Sequence, residues 1–236
     1  MKKKKISFIL TTLNEYSYIK ESINKIFSII NPYELIIVDD NSRDQTKNYI
    51  KKLNHPKIKF ISRHKDKGLA SALLRGLIES RGDIICWMDT GMYYLLKEYK
   101  QMINYLGKYD IIILSRYVKN GSDERDKIRS YSSLILNSFC RFMFSSEIKD
   151  YSSGLFALKR SVLNAELPDG RGYGEYIIKY LYLCKNKGLK IKELPYTHTK
   201  QNEENSNTSS NYFKFFFLGF KYLVKLFLFK IRDIIR

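Results

Sequence analysis

Cysteine, histidine and glycine-rich fingerprints are scarce in this chain, and each scarcity removes a class of protein. Three cysteines (Cys86, Cys140 and Cys184) lie far apart in 236 residues with no paired spacing. A disulfide framework is therefore not expected, and a reducing compartment is. Three scattered histidines with those cysteines make no zinc pattern. No glycine fingerprint of the dinucleotide or P-loop type follows the first apolar run. Lysines open the chain, but a short apolar segment and a polar loop follow instead of an apolar run before a cleavage site, so no signal peptide is read. There is no internal repeat.

What is abundant is positive charge. The net charge is +18 and the pI about 9.6. Such a chain expects an anionic partner: nucleic acid, a phosphate-rich ligand or an acidic membrane surface. No nucleic-acid motif or basic groove with interleaved stacking rings is present, so nucleic acid is not expected. Apolar residues make up 44%, enough for one packed domain with an appendage.

The apolar pattern alternates between short runs and helical spacing. Runs at 6–11, 35–40, 58–62, 83–88 and 110–115 read as strands. Segments 14–30, 42–53, 67–80 and 95–106 read as helices, with Ser42 a candidate N-cap and Pro32 a stop. Near-continuous apolar strands alternating with helices predict an α/β fold whose mainly parallel sheet is covered on both faces. Beyond 116 come a charged loop (117–127), a helix (128–144), a short strand and turn (152–163), a helix (173–188) closed by Gly188, and a last strand (189–197).

Ligands of such sheets sit beyond the carboxyl ends of the strands. The polar residues there are Asn14 and Glu15, then Asp39 and Asp40, then Asp89, then Arg116. Two adjacent carboxylates at 39–40 are costly unless water, donors or a ligand meets them. They read either as acceptors for a ribose or base edge, or as solvated turn acids with Asp40 capping the next helix. Gly68, near a helix start among basic residues, reads as a phosphate site or a simple helix start.

Seven segments in order carry a resemblance. They are TTLNE (11–15), IIVDDNSRDQT (36–46), RHKDKGLASALLRGL (63–77), GDIICWMD (82–89), ILSRY (113–117), DYSSGLFALKRSVL (150–163) and GLKIKELPYTHTK (188–200). Together they resemble the family 2 glycosyltransferases of GT-A fold, and among these the dolichyl- and polyprenyl-phosphate mannose or glucose synthases. The resemblance covers about residues 1–200. It implies a Rossmann-like nucleotide-binding half, a nucleotide-sugar donor (UDP- or GDP-linked), a lipid-phosphate acceptor and transfer with inversion. It implies that Thr12, Asn14 and Glu15 line the nucleotide pocket and that Asp39 and Asp40 hold base and ribose. Lys67 and Gly68 would lie near the diphosphate, and Asp89 would be the first acid of the metal motif for Mg²⁺ or Mn²⁺. Arg116 and Arg129 would face the acceptor phosphate or donor diphosphate, and Asp150 and Ser153 would support the sugar wall.

The chain departs from that pattern in places. Thr11 stands for proline, Leu13 for an aromatic residue and Asn41 for glycine, the last being tolerated because asparagine enters the left-handed region. The metal motif, Asp-x-Asp followed two residues on by Gln or His, here reads Asp89, Thr90, Gly91, Met92, Tyr93. Three readings follow: Asp89 and the diphosphate hold the ion with waters; Lys and Arg replace part of its charge; or the chain is an inactive nucleotide-binding homologue. Glu175 lies three residues ahead of the family's later glutamate. It is the candidate base if the acceptor is a glycan hydroxyl, and otherwise helix-terminus electrostatics.

Residues 201–211 (QNEENSNTSSN) read as a linker. Residues 212–236 carry six Lys/Arg against one Asp, and nine Phe/Tyr. They contain no apolar stretch of roughly 18 residues, so a spanning helix is not expected. On a helix, Lys214, Lys221, Lys225 and Arg232 fall near one line and Lys230 opposite. The segment is expected to lie as an amphipathic helix on an anionic membrane surface, placing the protein peripherally on its cytoplasmic face. The alternative is packing on its own domain or in a homo-oligomer.

Overall fold

The structure is a computed structural model that describes residues 4–172, 174–199 and 212–235. The side chains of 212–218 and 234 are outside that description, as is the linker expected over 201–211.

The first half alternates as predicted: β1 (Ile6–Thr12), α1 (Tyr16–Ile29), β2 (Glu34–Asp39), α2 (Thr46–Leu53), β3 (Ile58–Ser62), α3 (Leu69–Glu79) and β4 (Ile84–Asp89). A 3-10 turn (Thr90–Leu95) leads into α4 (Leu96–Tyr105) and β5 (Ile111–Ser115). Then come β6 (Ser122–Asp123), α5 (Lys127–Met143), β7 (Phe156–Lys159), α6 (Arg160–Ala165), α7 (Glu175–Asn186), β8 (Ile191–Pro195), β9 (Thr197–His198) and α8 (Tyr212–Ile235).

Seven strands form one sheet in the order β3-β2-β1-β4-β7-β5-β8, and β6 pairs with β9 beside it. All pairings are parallel except the two made by β7. Strand alternation separates two cores. Ile9, Ile36, Val38, Ile85 and Trp87 face α3 and α7, while Phe8, Leu10, Leu35, Ile37 and Met88 face α1 and α4. The α1 stripe of Ile19, Ile23 and Ile26 is buried at helical spacing.

Two local expectations are corrected. The helix expected over 42–53 begins at Thr46, because Ser42 is drawn to the Asp39 carboxylate, to which its N–H donates at 3.1 Å, and caps nothing. The strand and turn at 152–163 resolve into β7 and the short helix α6. Asn41 does take a left-handed conformation, φ 66°, as its place in the motif requires. Gly188, φ 75°, closes α7.

Candidate active site at the strand ends

Parallel register puts Thr12 opposite Asp39 and Thr11 opposite Asp89, so three strand ends converge at one edge of the sheet. The loop after β1 is laced to the loop after β2. The N–H of Asn14 (φ 56°) donates to Ser42 Oγ at 2.8 Å, and Asn14 Oδ1 accepts from the Arg43 N–H at 2.7 Å. The Glu15 N–H donates to Thr46 Oγ1 at 3.2 Å. This lacing fixes Glu15 beside Thr90 and close enough to Asp89 for their charges to interact.

Glu15 and Asp89 form a carboxylate pair that the sequence analysis did not bring together. Burial raises the Glu15 carboxyl to about 7, the Asp89 charge adding to the effect, while burial alone raises Asp89 to about 6. Thr90, next along, is fully buried, and its hydroxyl donates to the Thr11 carbonyl at 3.0 Å. A Cβ at Gly91 would meet nothing within 4 Å, so the place of the missing second acid is open space. Tyr93 does not fill it: its hydroxyl donates to Glu21 of α1 at 2.9 Å.

These residues fit a divalent ion held mainly through its substrate. Magnesium takes one or two carboxylates when phosphates and water supply the other positions. Asp89 provides one carboxylate and Glu15 stands beside it. No group of three His, Cys, Asp or Glu gathers among the described residues, so an all-protein cage is not built.

The other expected site residues divide into those left open and those already engaged. Asp39 is fully buried and accepts from the N–H groups of Asn41 and Ser42 and from Ser62 Oγ at 3.1–3.2 Å. Asp40 pairs with the Arg63 guanidinium (Nε at 2.8 Å) and accepts the Gly68 N–H at 2.7 Å. The two acids expected to hold base and ribose are thus each engaged in organising loops. Gly68, φ 133°, is pinned by Asp40 at the start of α3, and Lys67 beside it is exposed.

Arg116 differs most from expectation. Instead of presenting its guanidinium outward, it is 4% exposed and gripped by Asp150, with Nε at 2.8 Å and Nη2 at 2.7 Å. Nη1 reaches Asp123 at 3.3 Å, and Nη2 also donates to Ser152 Oγ at 2.8 Å. Asp150, fully buried, additionally accepts the Arg116 N–H at 3.0 Å, which leaves it no free edge toward a sugar. Burying two charges requires such mutual pairing. Arg129 is half-buried in the first turn of α5, a helix capped by Asp126.

Three buried polar atoms have no protein partner among the described residues in β4 and in the loops that follow β5 and α5: Trp87 Nε1, Tyr117 Oη and Ser153 Oγ. Gly154 (φ 72°) lets the 150–154 loop approach the Trp87 ring, since a Cβ there would lie 3.4 Å from it. Buried polar atoms ordinarily have partners, and these keep capacity for a further hydrogen bond.

Glu175 lies in the first turn of α7, 2% exposed, and pairs with Lys225 of α8. This ion pair engages the carboxylate that the sequence analysis offered as the base for a glycan hydroxyl. The helix α8 is further tied to α7 by the Tyr182 hydroxyl donating to Asp233 and by Lys230 donating to that hydroxyl at 2.6 Å. No described helix is long and apolar enough to cross a membrane.

Comparison with known proteins agrees with this arrangement. Residues 7–167 match the model of Glycosyl transferase family 2. The chain is 32% identical over 202 residues to a dolichol-phosphate mannosyltransferase of Pyrococcus furiosus, covering 82% of this chain and 56% of that protein. It is 26% identical over 217 residues to a dolichol-phosphate mannosyltransferase of Saccharomyces cerevisiae, covering 86% and 80%. The chain therefore spans little more than half the length of the archaeal relative. Among solved structures it resembles glucosyl-3-phosphoglycerate synthase from Mycobacterium tuberculosis in complex with Mn²⁺, UDP and glucosyl-3-phosphoglycerate. The TM-score is 0.71 at 19% identity, over 94% of this chain and 78% of that one. The fold is the GT-A fold, with its mostly parallel sheet between two helical layers.

Proposed function

This chain belongs to glycosyl transferase family 2, and from that membership we propose that it moves a hexose from a UDP- or GDP-sugar to a polyprenyl or dolichyl phosphate at a membrane surface. The observation that carries the lipid acceptor is a pair of apolar helix faces. On α5, Tyr131, Ile135 and Phe142 are 64%, 66% and 89% exposed. On α8, which packs against α5, Phe220, Val224, Phe227 and Ile231 are exposed. Apolar surface on two adjoining helices is costly in water and suits a bilayer interface. The α5 stripe escaped the sequence analysis, although positions 131, 135, 138 and 142 keep the i, i+4, i+7, i+11 spacing of one helix face, interrupted only by Ser138.

The reaction is a single displacement. An oxygen of the acceptor phosphate forms a bond to the anomeric carbon as the bond to the nucleotide diphosphate breaks, its electron pair leaving with the diphosphate, and configuration inverts. An ionised phosphate needs no general base, in keeping with a Glu175 neutralised by Lys225. A glycan hydroxyl would need one. Thr12, Asn14 and Glu15 bound the nucleotide side, while Lys67 and the Gly68 turn lie toward the diphosphate. Asp89, with Glu15 beside it, would hold a Mg²⁺ or Mn²⁺ ion, which when bound neutralises the leaving diphosphate. Arg129, in the first turn of α5, is assigned to the acceptor phosphate. Ser153 Oγ, buried without a partner, is assigned a hydroxyl of the donor sugar. The protein would sit peripherally on the cytoplasmic face, where its three free cysteines stay reduced.

The test is transfer by purified protein from UDP- and GDP-sugars to undecaprenyl or dolichyl phosphate, 3-phosphoglycerate or an oligosaccharide, with Mg²⁺, Mn²⁺ or EDTA. Transfer to lipid phosphate, lost in EDTA, is expected. Transfer to phosphoglycerate or to a glycan hydroxyl alone would replace the lipid acceptor. Nucleotide binding without transfer to any acceptor would mark an inactive homologue.

A further inference from the structure

A groove of about 290 Å³ runs between the start of α7 and the side of α8. Four cations line it, Arg171, Lys179, Lys225 and Arg232, against two acids, Asp169 and Glu175, an excess of two positive charges. Lys225 and Glu175 cancel each other. Asp169 accepts the backbone N–H of Arg171 at 3.1 Å and forms no ion pair with its guanidinium. Lys179 lies over the Phe229 ring, 5.3 Å from its centroid. Arg171 and Arg232 are exposed, and neither has a carboxylate partner among the described residues. Two guanidinium groups and an ammonium thus surround a groove floored by Leu228 and Phe229, with Asp169 the one lining acid, among the described residues, that is not already in an ion pair.

The position of this groove on α8 says what would fill it. At about 100° per residue, Lys221, Lys225 and Arg232 run along one edge of the exposed face made by Val224, Phe227 and Ile231. Leu228, 48% exposed, belongs to both the face and the groove. A phosphate held between the guanidinium groups would therefore have its acyl-bearing side directed along apolar surface. Guanidinium forks match phosphate oxygens in pairs.

We propose that the α7–α8 groove binds the phosphate of an anionic membrane phospholipid, through residues other than those assigned to the donor and acceptor. The inference rests on the membrane reading above. It goes further in naming a second, non-substrate lipid site and its ligands, Arg171, Arg232 and Lys179. Because Lys225 reaches from this groove to Glu175, the lipid site also adjoins the contact that ties α8 to the domain.

The test is sedimentation of the full chain with vesicles of phosphatidylcholine alone or with one-quarter phosphatidylglycerol. Wild type is expected to bind the anionic vesicles preferentially. Arg171→Gln with Arg232→Gln is expected to weaken that binding on the order of 30-fold, from about 1 kcal/mol per basic residue. Lys51→Gln with Lys52→Gln, an equal charge change on the exposed end of α2, is expected to weaken it less than about 3-fold. Equal effects of the two double variants would overturn the site, leaving general attraction by net charge. Calorimetry with glycerol phosphate and no vesicles separates the sources. Binding of the free phosphate lost in the Arg171/Arg232 variant would overturn the lipid assignment in favour of a soluble ligand. Transfer to detergent-dispersed lipid phosphate is measured in parallel and is expected to be unchanged in that variant. A wild type that transfers but binds both vesicle types equally refutes this site alone. One that binds anionic vesicles through these arginines but never transfers refutes the proposed function alone.

Discussion

Replacing Asp150 with Asn tests whether Arg116 is an internal brace or a substrate ligand. The Asp150 carboxylate is fully buried and accepts three hydrogen bonds from Arg116, at 3.0, 2.8 and 2.7 Å. The guanidinium is itself nearly inaccessible. Removing one partner of a buried pair costs about 3–5 kcal/mol, because the other charge stays buried. Arg116 would keep Asp123 at 3.3 Å, so the low end applies, about 3 kcal/mol. With a urea slope of about 3 kcal/mol per molar for a chain of this size, the midpoint falls by about 1 M. Trp87, the single tryptophan and 1% exposed, reports unfolding by fluorescence. Replacing both partners, Arg116→Met with Asp150→Leu, is expected to recover most of the loss, since no orphan charge remains and Asp123 retains Arg125 at 2.7 Å. A midpoint shift below about 0.3 M for Asp150→Asn would refute the brace. The guanidinium would then be free to turn outward, and its assignment to a phosphate would return.

Other expectations follow from neighbouring features. Gly91→Asp, whose Cβ enters open space, should change stability by less than about 0.5 kcal/mol and tighten binding of Mn²⁺ with UDP or GDP in calorimetry; unchanged affinity would argue against Asp89 as the ion's ligand. Gly82→Ala should destabilise by about 1–3 kcal/mol in thermal melts, because its Cβ would sit 2.6 Å from the Ser7 backbone nitrogen; an unchanged melt would contradict that packing. His198, on β9, is pulled down to about 3 by burial and by the charges of Arg125 and Arg116. The unfolded chain takes up a proton near pH 6.5 that the folded chain refuses, so stability should fall as pH drops below 6.5, by up to about 2 kcal/mol at pH 5. His198→Gln should remove that part of the slope in urea titrations, and identical slopes would count against a depressed His198 in the folded chain.

The sheet was legible because its signal is local. Runs such as LIIVDD and DIICWM announce strands buried on both faces, and the ordered motifs placed Asp39, Asp89 and Arg116 at strand ends. The place of β7 was not legible. Its four residues read as a strand anywhere, but their insertion between β4 and β5 in the opposite sense depends on contacts far along the chain. The Glu15–Asp89 pair was missed for a similar reason: 74 residues separate two acids brought together by the β1–β4 register. The spacing around the lone metal-motif acid was the signal that could have prompted a search for a second carboxylate on a neighbouring strand end.

By itself the sequence determined the alternation of strands and helices, the edge of the sheet where polar residues collect, and the absence of a second acid at Gly91. Those are properties of neighbouring residues, set by backbone periodicity and side-chain identity. Tertiary structure decided which of the collected charges remain available. Asp40 is taken by Arg63, Arg116 by Asp150 and Glu175 by Lys225, partners 23, 34 and 50 residues apart. A charge removed from water must find its opposite through space, and the nearest opposite charge there is set by how the strands and helices pack.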